Sequence, residues 1–537
     1  MLKNAINVLQ SPVNKVYTHE GGKAYTPEFE DKLCTLFTLG MLNNRFYEDY
    51  STAVKDLDTI FRQALNECPF LATQYAIYSA ETLRMKLIPT IWLVYVSTLE
   101  DKYLFNKAFD RIINKNVKML HDFIDICRLT NIRPGGHMNQ KIRGTNRGLG
   151  SALKKKINLW LENNLNDYNV TRFTGKLENI CRLVRPKDSI NTEKYFKYIF
   201  KPKNEPRNLT FERARLLDET IKILSNEHTD NEFNIALDNI DKASLQMDEI
   251  KMTFGYLNKE ELKAVYIHFI PKLKYAALIT NLVAIERVFA TSMYNKKVLE
   301  TNIPNNLEQL VVNRIKFRKD YEASGLFFLR LYAASKMVVT SSWANALSEI
   351  FQEVAKDVFK DVPDNIKVRV SADTSGSMRT SLTGASIQAI DVASYFTAAV
   401  ALSIPNAKAY ATASYTKQVP VKSDNIELVA EQIQNTDVGY GTSFETLLKG
   451  YNQENIVLII TDTQQNDNCE HIWKKLDKPQ DAKFIIWDVV GYYNYNVISK
   501  DPSMLYIRGY SDRTMSAVAN LILGKAGQKE IVHQVKI

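Results

Sequence analysis

The sequence predicts a multidomain protein in which an all-α helical-repeat part precedes an α/β domain with a doubly wound, mostly parallel sheet. Its 537 residues are more than one hydrophobic core ordinarily serves, so at least two domains are expected. Residues 28 to about 355 carry apolar side chains at three- and four-residue spacings, which is typical of amphipathic helices. After "DVFKDVPDN", short apolar runs alternate with helical segments, which is the pattern of a sheet covered by helices.

The helical part consists of segments such as "FEDKLCTLFTLGML", "VKMLHDFIDICRL", "SALKKKINLWLENNL" and "AALITNLVAIERVFATSM", joined by connections rich in Gly, Pro and Asn. Successive helix pairs without a crisp sequence repeat favour an α-solenoid of HEAT-like type, in which each pair buries its apolar face on the next. A large irregular bundle is the alternative. The apolar stretch "LIPTIWLVYV" is about half the length of a membrane span, so it predicts a buried helix and no membrane partner.

The α/β part begins with the strand pattern "IKVRVSAD" and continues through a helix, "AKAYATAS", "TKQVPVK", another helix and "NIVLIITDT". Runs such as "VLII" and "FIIW" are apolar enough to be buried on both faces of a parallel sheet. We therefore place the domain boundary near residue 360, with a helical-repeat domain over 1–360 and an α/β domain over 361–537.

Composition points to a globular protein of the cytoplasm. Hydrophobic residues make up 45% of the chain and charged residues 24%, as in ordinary globular domains. The five cysteines are scattered singly with no CxxC pair, which argues against a disulfide framework or a zinc site and favours a reducing compartment. The N-terminal segment lacks the long apolar core of a signal peptide.

Positive charge is concentrated in the helical part. The net charge of the chain is +9, yet residues 361–537 contain 17 Lys and Arg against 19 Asp and Glu. All of the excess positive charge therefore lies within residues 1–360. This asymmetry predicts that the helical part binds a polyanion.

The stretch from Ile126 to Leu161 contains eight basic residues and no acidic one, in a Gly- and Asn-rich segment that leads into a helix near Gly150. Cations on the first turns of a helix oppose its macrodipole, so we expect a compensating role in binding phosphates. The alternative is a solvated lysine-rich face. The candidate RNA-binding residues here and in the next basic segment are Lys141, Arg143, Arg147, Lys154, Lys155, Arg172, Arg182 and Arg185.

A second pattern, "SADTSGSM", follows the first strand of the α/β part and predicts a metal site. Asp373, Ser375 and Ser377 alternate where the strand ends, so one carboxylate and two hydroxyls point the same way. Thr442 in "VGYGTSFETLL" and Asp462 in "VLIITDT" stand at two further element ends. Ligands of open α/β sheets bind at the carboxyl ends of strands, and Mg²⁺ or another divalent cation prefers such oxygen donors. The alternative is a set of turn and capping residues.

These five residues match the metal-ion-dependent adhesion site of von Willebrand factor A domains, and the α/β part resembles such a domain. The resemblance implies that the metal grips an acidic side chain of a partner protein. No nucleophile and base stand beside the predicted metal, so we expect no enzymatic activity. A Mg²⁺-dependent nuclease or phosphatase would need more clustered carboxylates than Asp373 and Asp462, with Asp437 a weak addition.

The order of motifs along nearly the whole chain resembles the TROVE family of Ro autoantigen-like proteins. The matching segments are "THEGGKAYTPEFEDKLCTLFTLG", "RGLGSALKKKINLWL", "FTGKLENICRLVRPKD", "VSADTSGSM", "GYGTS", "ITDT", "VVGYY" and "MLYIRGYSD". The resemblance implies an all-α HEAT-like helical-repeat ring followed by a von Willebrand factor A domain. It also implies single-stranded 3′ ends of defective RNA in the ring and structured small RNAs, the Y RNAs, on the basic surface.

Two hypotheses of function remain open from the sequence. The first is a non-catalytic RNA-binding scaffold for RNA quality control or processing, with an exoribonuclease as a further candidate partner. The second is a metal-dependent protein–protein interaction module that grips an acidic residue of its partner, with the helical part as support. Under the second hypothesis Asp373→Ala should abolish partner binding and RNA should be irrelevant, so co-purified nucleic acid that RNase removes distinguishes the two.

Overall fold

The chain forms a long series of α-helices followed by a six-stranded sheet flanked by helices, and this confirms the predicted fold class. The computed structural model describes residues 15–17, 23–25, 28–40, 50–129, 149–187, 192–200, 206–295, 297–382, 387–492, 501–525 and 527–537. Lys141, Arg143 and Arg147 of the predicted RNA-binding set lie outside these ranges.

The helices before the sheet are mostly short and follow one another closely. Their bounds are α1 Phe29–Leu39, α2 Tyr50–Glu67, α3 Pro69–Glu81, α4 Leu87–Val96, α5 Tyr103–Ile112, α6 Val117–Leu129, α7 Ser151–Asn164, α8 Asp167–Arg172, α9 Thr174–Val184, α10 Glu193–Ile199, α11 Glu212–Leu224, α12 Asp230–Lys242, α13 Met247–Ile250, α14 Lys259–Phe269, α15 Tyr275–Val288, α16 Asn305–Lys316, α17 Arg318–Ser324, α18 Leu329–Ser335 and α19 Ser341–Asp357.

Local sequence explains where several of these helices begin. Thr229 and Asn258 each accept a hydrogen bond from the backbone three residues on, while Glu232 and Glu261 reach back to the capping backbone. These capping boxes satisfy N–H groups that have no partner inside the helix. The helix predicted from "LIPTIWLVYV" is confirmed as α4, and its residues 90–96 are buried.

A first hairpin, β1 (Lys15–Tyr17) with β2 (Lys23–Tyr25), precedes the helices. A second short hairpin interrupts the helical part, where the sequence pattern had indicated only helix. Helix α15 ends at Val288, and β3 (Ala290–Tyr294) pairs antiparallel with β4 (Lys297–Thr301). Asn295 at the turn has a φ of 47°, a left-handed conformation that Asn adopts more readily than most residues. The prediction of helix through "FATSM" was therefore wrong, because the β-branched and aromatic residues after Phe289 find partners across a tight turn.

The main sheet has the strand order β10-β9-β8-β5-β6-β7. All neighbouring strands are parallel except the edge strand β7, which runs antiparallel to β6. The strands are β5 Val368–Asp373, β6 Ala407–Thr412, β7 Thr416–Gln418, β8 Ile456–Thr461, β9 Lys483–Asp488 and β10 Met504–Arg508, and the helices of this part are α20 Ala389–Ser403, α21 Ile426–Gln434, α22 Phe444–Lys449, α23 Cys469–Lys475, α24 Asp512–Ile522 and α25 Gln528–His533.

The chain connects β5 to β6 on one side of β5 and then returns to place β8 on the other side. The carboxyl ends of β5 and β8 therefore flank the point where the strand order reverses, which is where open α/β sheets bind ligands. Strands β5 and β8 are buried along their whole length, as the apolar runs predicted.

The chain divides into two compact units that do not follow sequence order. One unit combines residues 1–92, 327–329 and 351–537, and the other contains residues 93–326 and 330–350. The change from helix to strand falls between Asp357 and Val368, close to the boundary predicted from the sequence. The first helices of the chain nevertheless fold with the sheet, a grouping that the sequence pattern did not indicate.

A buried polar cluster joins helix α1 to the sheet within the first unit. Arg508 at the end of β10 lies 3.4 Å from the carboxylate of Asp31, and both side chains are buried. Lys529 binds the same carboxylate at 2.7 Å from a more exposed position. The thiol of Cys34 donates to the amide oxygen of Gln528 at 3.5 Å, and the amide nitrogen of Gln528 donates to the carbonyl of Arg508. The cluster ties α1 and α25 to the end of β10.

The second unit contains its own buried ion pair. Arg213 of α11 donates to both carboxylate oxygens of Glu249 at 2.8 and 2.7 Å, and its Nε donates to the carbonyl of Ala243. Thr171 of α8 adds a hydroxyl contact to the same carboxylate. This bidentate geometry satisfies a buried charge with several hydrogen bonds and holds three helices together.

Within the described ranges, each helix is too short or too polar to cross a lipid bilayer.

Candidate metal centre and nucleic-acid interface

The predicted metal ligands of the first motif lie together at the end of β5. Asp373 is buried, and its Oδ1 accepts a hydrogen bond from the Ser375 backbone at 2.9 Å. Its Oδ2 accepts from the hydroxyl of Thr461 at 2.6 Å, across from β8. The Ser375 and Ser377 hydroxyls are 3.3 Å apart, and both residues are buried. The turn after β5 therefore gathers one carboxylate and two hydroxyls.

The second carboxylate, Asp462, lies directly after β8 on the other side of the strand-order reversal. It is fully buried, and its Oδ1 accepts from the Gln464 backbone at 3.1 Å. Burial raises its pKa well above the usual range, and the negative charge of Asp373 raises it further, while the Ser377 hydroxyl opposes the shift. Because the charge of Asp373 raises the pKa of Asp462, the two carboxylates are close neighbours in space.

Thr442 reaches the same edge of the sheet through a glycine-flanked loop. The Tyr440 carbonyl accepts from the Gly376 backbone at 3.2 Å, and the Thr442 carbonyl accepts from the Asn466 backbone at 2.8 Å. The loop is thus tied to the turn after β5 and to the segment after Asp462. Gly439 has a φ of 78°, and a Cβ there would lie 2.7 Å from the Ser414 hydroxyl, so only glycine fits.

The donor set fits a divalent cation. The Thr442 hydroxyl and the Oδ2 atom of Asp462 are buried and have no hydrogen-bond partner in the described part of the chain. A buried carboxylate oxygen and hydroxyl without partners are costly, and a cation would satisfy both. The described residues contain no group of three His, Cys, Asp or Glu side chains placed to hold a metal, so the set combines two carboxylates with three hydroxyls. Hard cations such as Mg²⁺ accept these ligands.

The residues that follow Asp462 form a sharp, buried turn. Thr463 has a φ of 66°, a conformation that costs a β-branched residue energy. Gln464 and Gln465, which come next in the chain, are both buried.

One buried carboxylate near the site, Asp488, is not among the residues that the sequence predicted for it. Asp488 follows the apolar run of β9 and accepts hydrogen bonds from the Val490 and Gly491 backbones and from the hydroxyl of Tyr506, at 2.8–3.0 Å. Its charge contributes to raising the pKa of Asp462. The sequence did contain a pattern that indicates this residue, because "FIIWD", like "VLIITD", places a carboxylate directly after an apolar strand. Its hydrogen bonds show that Asp488 shapes the neighbouring turn.

The predicted basic helix is α7, and two of its cations have no carboxylate partner. Lys154 and Lys155 lie in its first turns, and no salt bridge joins either of them to the described residues. Lys156 differs, since Asp110 lies 2.7 Å from its ammonium. Val184, next to the exposed Arg185, lines the same cavity as Lys154 and Lys155. The structure thus brings Arg185 into the neighbourhood of the two lysines.

The other predicted cations are partly neutralised. Arg172 binds Asp248 at 2.9 Å, and Arg182 binds Glu178 at 2.7 Å on its own helix. In "NRIKFRKDY", Arg314, Lys316 and Arg318 each have a carboxylate partner, namely Asp320, Glu349 and Glu322. Among the predicted RNA-binding residues that the structure describes, those without a carboxylate partner therefore lie on α7 and at the end of α9. Charge counting along the sequence cannot separate paired from unpaired cations.

No family model matches the chain, and no curated protein matches it. Among solved structures, the Ro (RSR) protein of Deinococcus radiodurans is similar with a TM-score of 0.59. The similarity covers 92% of this chain and 100% of that chain at 15% sequence identity. An alignment of this extent includes both the helical part and the sheet. The chain therefore has the fold of a Ro protein, as the resemblance to the TROVE family predicted.

Proposed function

We propose that the protein is a non-catalytic RNA-binding scaffold. The observation that carries the proposal is the pair Lys154 and Lys155, two cations near the positive end of a helix dipole that have no carboxylate partner among the residues the structure describes. This placement lowers local stability unless an anion compensates it, and phosphate groups of RNA supply that anion. The Ro fold and the excess positive charge of residues 1–360 support the same proposal.

The finer part of the proposal follows from the resemblance to TROVE proteins. The protein would hold single-stranded 3′ ends of misfolded or non-coding RNA and bind Y RNA-like structured RNA on its basic surface. Its role would be RNA quality control or processing in the cytoplasm, with an exoribonuclease as a candidate partner. Recognition would rest on phosphate charge and RNA shape, with modest sequence preference.

We further propose that Asp373, Ser375, Ser377, Thr442 and Asp462 hold Mg²⁺ or another divalent cation. When bound, the metal supplies an electropositive centre that can take an anionic ligand from outside the chain. The protein side chains hold the site together: Thr461 orients Asp373, and the Gln464 backbone orients Asp462. The unpartnered oxygens of Thr442 and Asp462 support this assignment.

Replacing Lys154 and Lys155 together with glutamate should weaken binding of single-stranded RNA by at least about tenfold at moderate salt. Each lost phosphate contact should also lower the slope of log K against log salt by about 0.7. Fluorescence anisotropy of a labelled oligoribonucleotide at several salt concentrations measures both effects.

The control is a variant with the same change in net charge elsewhere on the molecule. Lys408 and Lys422 are exposed residues of the α/β part, and their joint replacement with glutamate should change RNA affinity little. The melting temperatures of both variants should stay near that of the parent, because none of the four lysines is buried. Equal RNA affinity in the two variants would contradict the proposal.

A second candidate function is a metal-dependent interaction with an acidic residue of a protein partner. It is supported by Tyr440, which is 86% exposed and stands two residues before Thr442. An exposed tyrosine beside an electropositive centre is typical of a residue that anchors a protein interface. Tyr440→Ala should then weaken partner binding without changing RNA affinity. A partner retained equally by Tyr440→Ala and Asp373→Ala proteins in a pull-down would argue against this function.

A further inference from the structure

A cavity of about 880 Å³ lies beside the first turns of α7. Its walls come from α7, from α5 and the residues before it, and from Val184 at the end of α9. All of these residues belong to one compact unit. The volume is that of a small-molecule binding site, which is more than the packing of neighbouring helices requires.

The charged residues of the cavity are mostly cations. Four lysines and one glutamate line it: Lys102, Lys154, Lys155, Lys156 and Glu162. Lys102 donates to the carbonyls of Ser97 and Leu99, so its charge is not cancelled by a carboxylate in these contacts. Lys156 is paired with Asp110, which leaves Lys102, Lys154 and Lys155 as the cations facing an incoming ligand. The charge of the rim is therefore complementary to phosphate.

The interior of the cavity is largely apolar. Phe105, Leu153 and Val184 contribute to its walls, and Leu159 is 51% exposed although it is a large aliphatic residue. Asn158 lines the same cavity, and its Oδ1 is buried without a hydrogen-bond partner in the described part of the chain. The apolar walls suit a ligand with a flat apolar body, and the free amide oxygen of Asn158 suits a polar edge on that body. The lysines at the rim suit a phosphate.

We propose that this cavity receives an unpaired nucleobase of the bound RNA, with the adjoining phosphates on Lys154 and Lys155. The proposal rests on the RNA-binding function above and adds a contact to the base itself. Backbone contacts alone bind any polyanion, whereas a base held in an apolar cavity distinguishes single-stranded RNA from a duplex, whose bases are stacked and paired. An acidic peptide would use the lysines and leave the apolar walls without a partner.

The test compares two labelled probes, a short oligouridylate and the same ribose-phosphate chain without bases. The parent protein should bind the oligouridylate at least about tenfold more tightly, because stacking and burial of a base add to the phosphate contacts. Both probes should show the same salt dependence, since their phosphates are identical.

Ala152→Trp fills the cavity from an exposed position in the first turn of α7. It should reduce oligouridylate affinity to that of the abasic probe. Asn163→Trp, on the same helix and outside the cavity, should not. Leu159→Ser is a milder variant that should lower the preference for the base-containing probe in part and that keeps the test valid if the larger residue disturbs folding.

Three outcomes separate the inference from the proposed function. Equal binding of both probes by the parent protein would overturn the cavity assignment and leave the RNA-binding function standing. Failure to bind either probe at low salt would overturn both. Displacement of the oligouridylate by polyglutamate from the parent protein, but not from Ala152→Trp, would assign the cavity to an acidic peptide and so reject the nucleobase.

Discussion

Replacing Arg508 with methionine is expected to lower the free energy of unfolding of the sheet-containing unit by about 3–5 kcal/mol, because it breaks a buried ion pair. Arg508 is 1% exposed, and its guanidinium lies 4.0 Å from the centre of the Tyr506 ring. Its charge also faces Asp31 of helix α1 and Asp488 at the end of β9. Without this cation, two buried carboxylates lose the positive charge that compensates them.

Lys529 provides the matched control. It contacts the same carboxylate of Asp31, but its side chain is 36% exposed. Water can therefore replace the contact that the ammonium makes with the carboxylate. Lys529→Met should therefore cost about 1 kcal/mol or less. Urea titrations followed by tryptophan fluorescence measure both variants, since Trp92, Trp473 and Trp487 all report on this unit. Similar losses in the two variants would show that Arg508 is not a central contact between α1 and the sheet.

The second large effect is expected from magnesium. Adding Mg²⁺ at about one hundred times its dissociation constant should stabilise the folded protein by about 2.7 kcal/mol, because the folded chain binds the ion and the unfolded chain does not. Asp373→Ala should abolish this response. Thermal melting with and without Mg²⁺ measures it, and isothermal titration calorimetry provides the dissociation constant.

The Asp462→Asn variant should distinguish a role of Asp462 in metal binding from a role in packing alone. Without metal, the variant should be more stable than the parent, because it removes one of two buried carboxylates that repel each other. It should also lose the response to Mg²⁺, since an amide is a weaker ligand for a hard cation. Asp437→Asn is the control, because Asp437 is exposed and caps a turn through the Gly439 backbone. A Mg²⁺ response retained in Asp462→Asn would remove that residue from the ligand set.

Part of the site could be read from the sequence because it depends on short-range geometry. Alternation along an extended chain places Asp373, Ser375 and Ser377 on one side of the turn, and apolar runs ending in a carboxylate mark the ends of buried strands. Thr442 lies on a separate loop, and its position at the end of an element, together with the resemblance to an adhesion site, linked it to the others. The structure ties that loop in place through backbone hydrogen bonds, which leave no signature in the side chains.

The sequence could not predict which cations form ion pairs with carboxylates. Arg172 and Lys154 look alike in a count of charges, yet Arg172 has Asp248 as a partner 76 residues further along the chain. Such a pair forms only after α8 and α13 have packed together. The cavity beside α7 has the same origin, because its walls come from helices that are separate in sequence.

By itself, the sequence determined the fold class and, apart from the β3–β4 hairpin, the alternation of helices and strands, because hydrophobic periodicity is a local property. It also placed the candidate oxygen donors at strand ends, because strand-end polarity is local too. Only the tertiary structure decided which cations stay unpaired, that helix α1 packs with the sheet, and that a cavity adjoins the basic helix. Those features depend on contacts between distant parts of the chain, and such contacts follow from how the helices and strands pack.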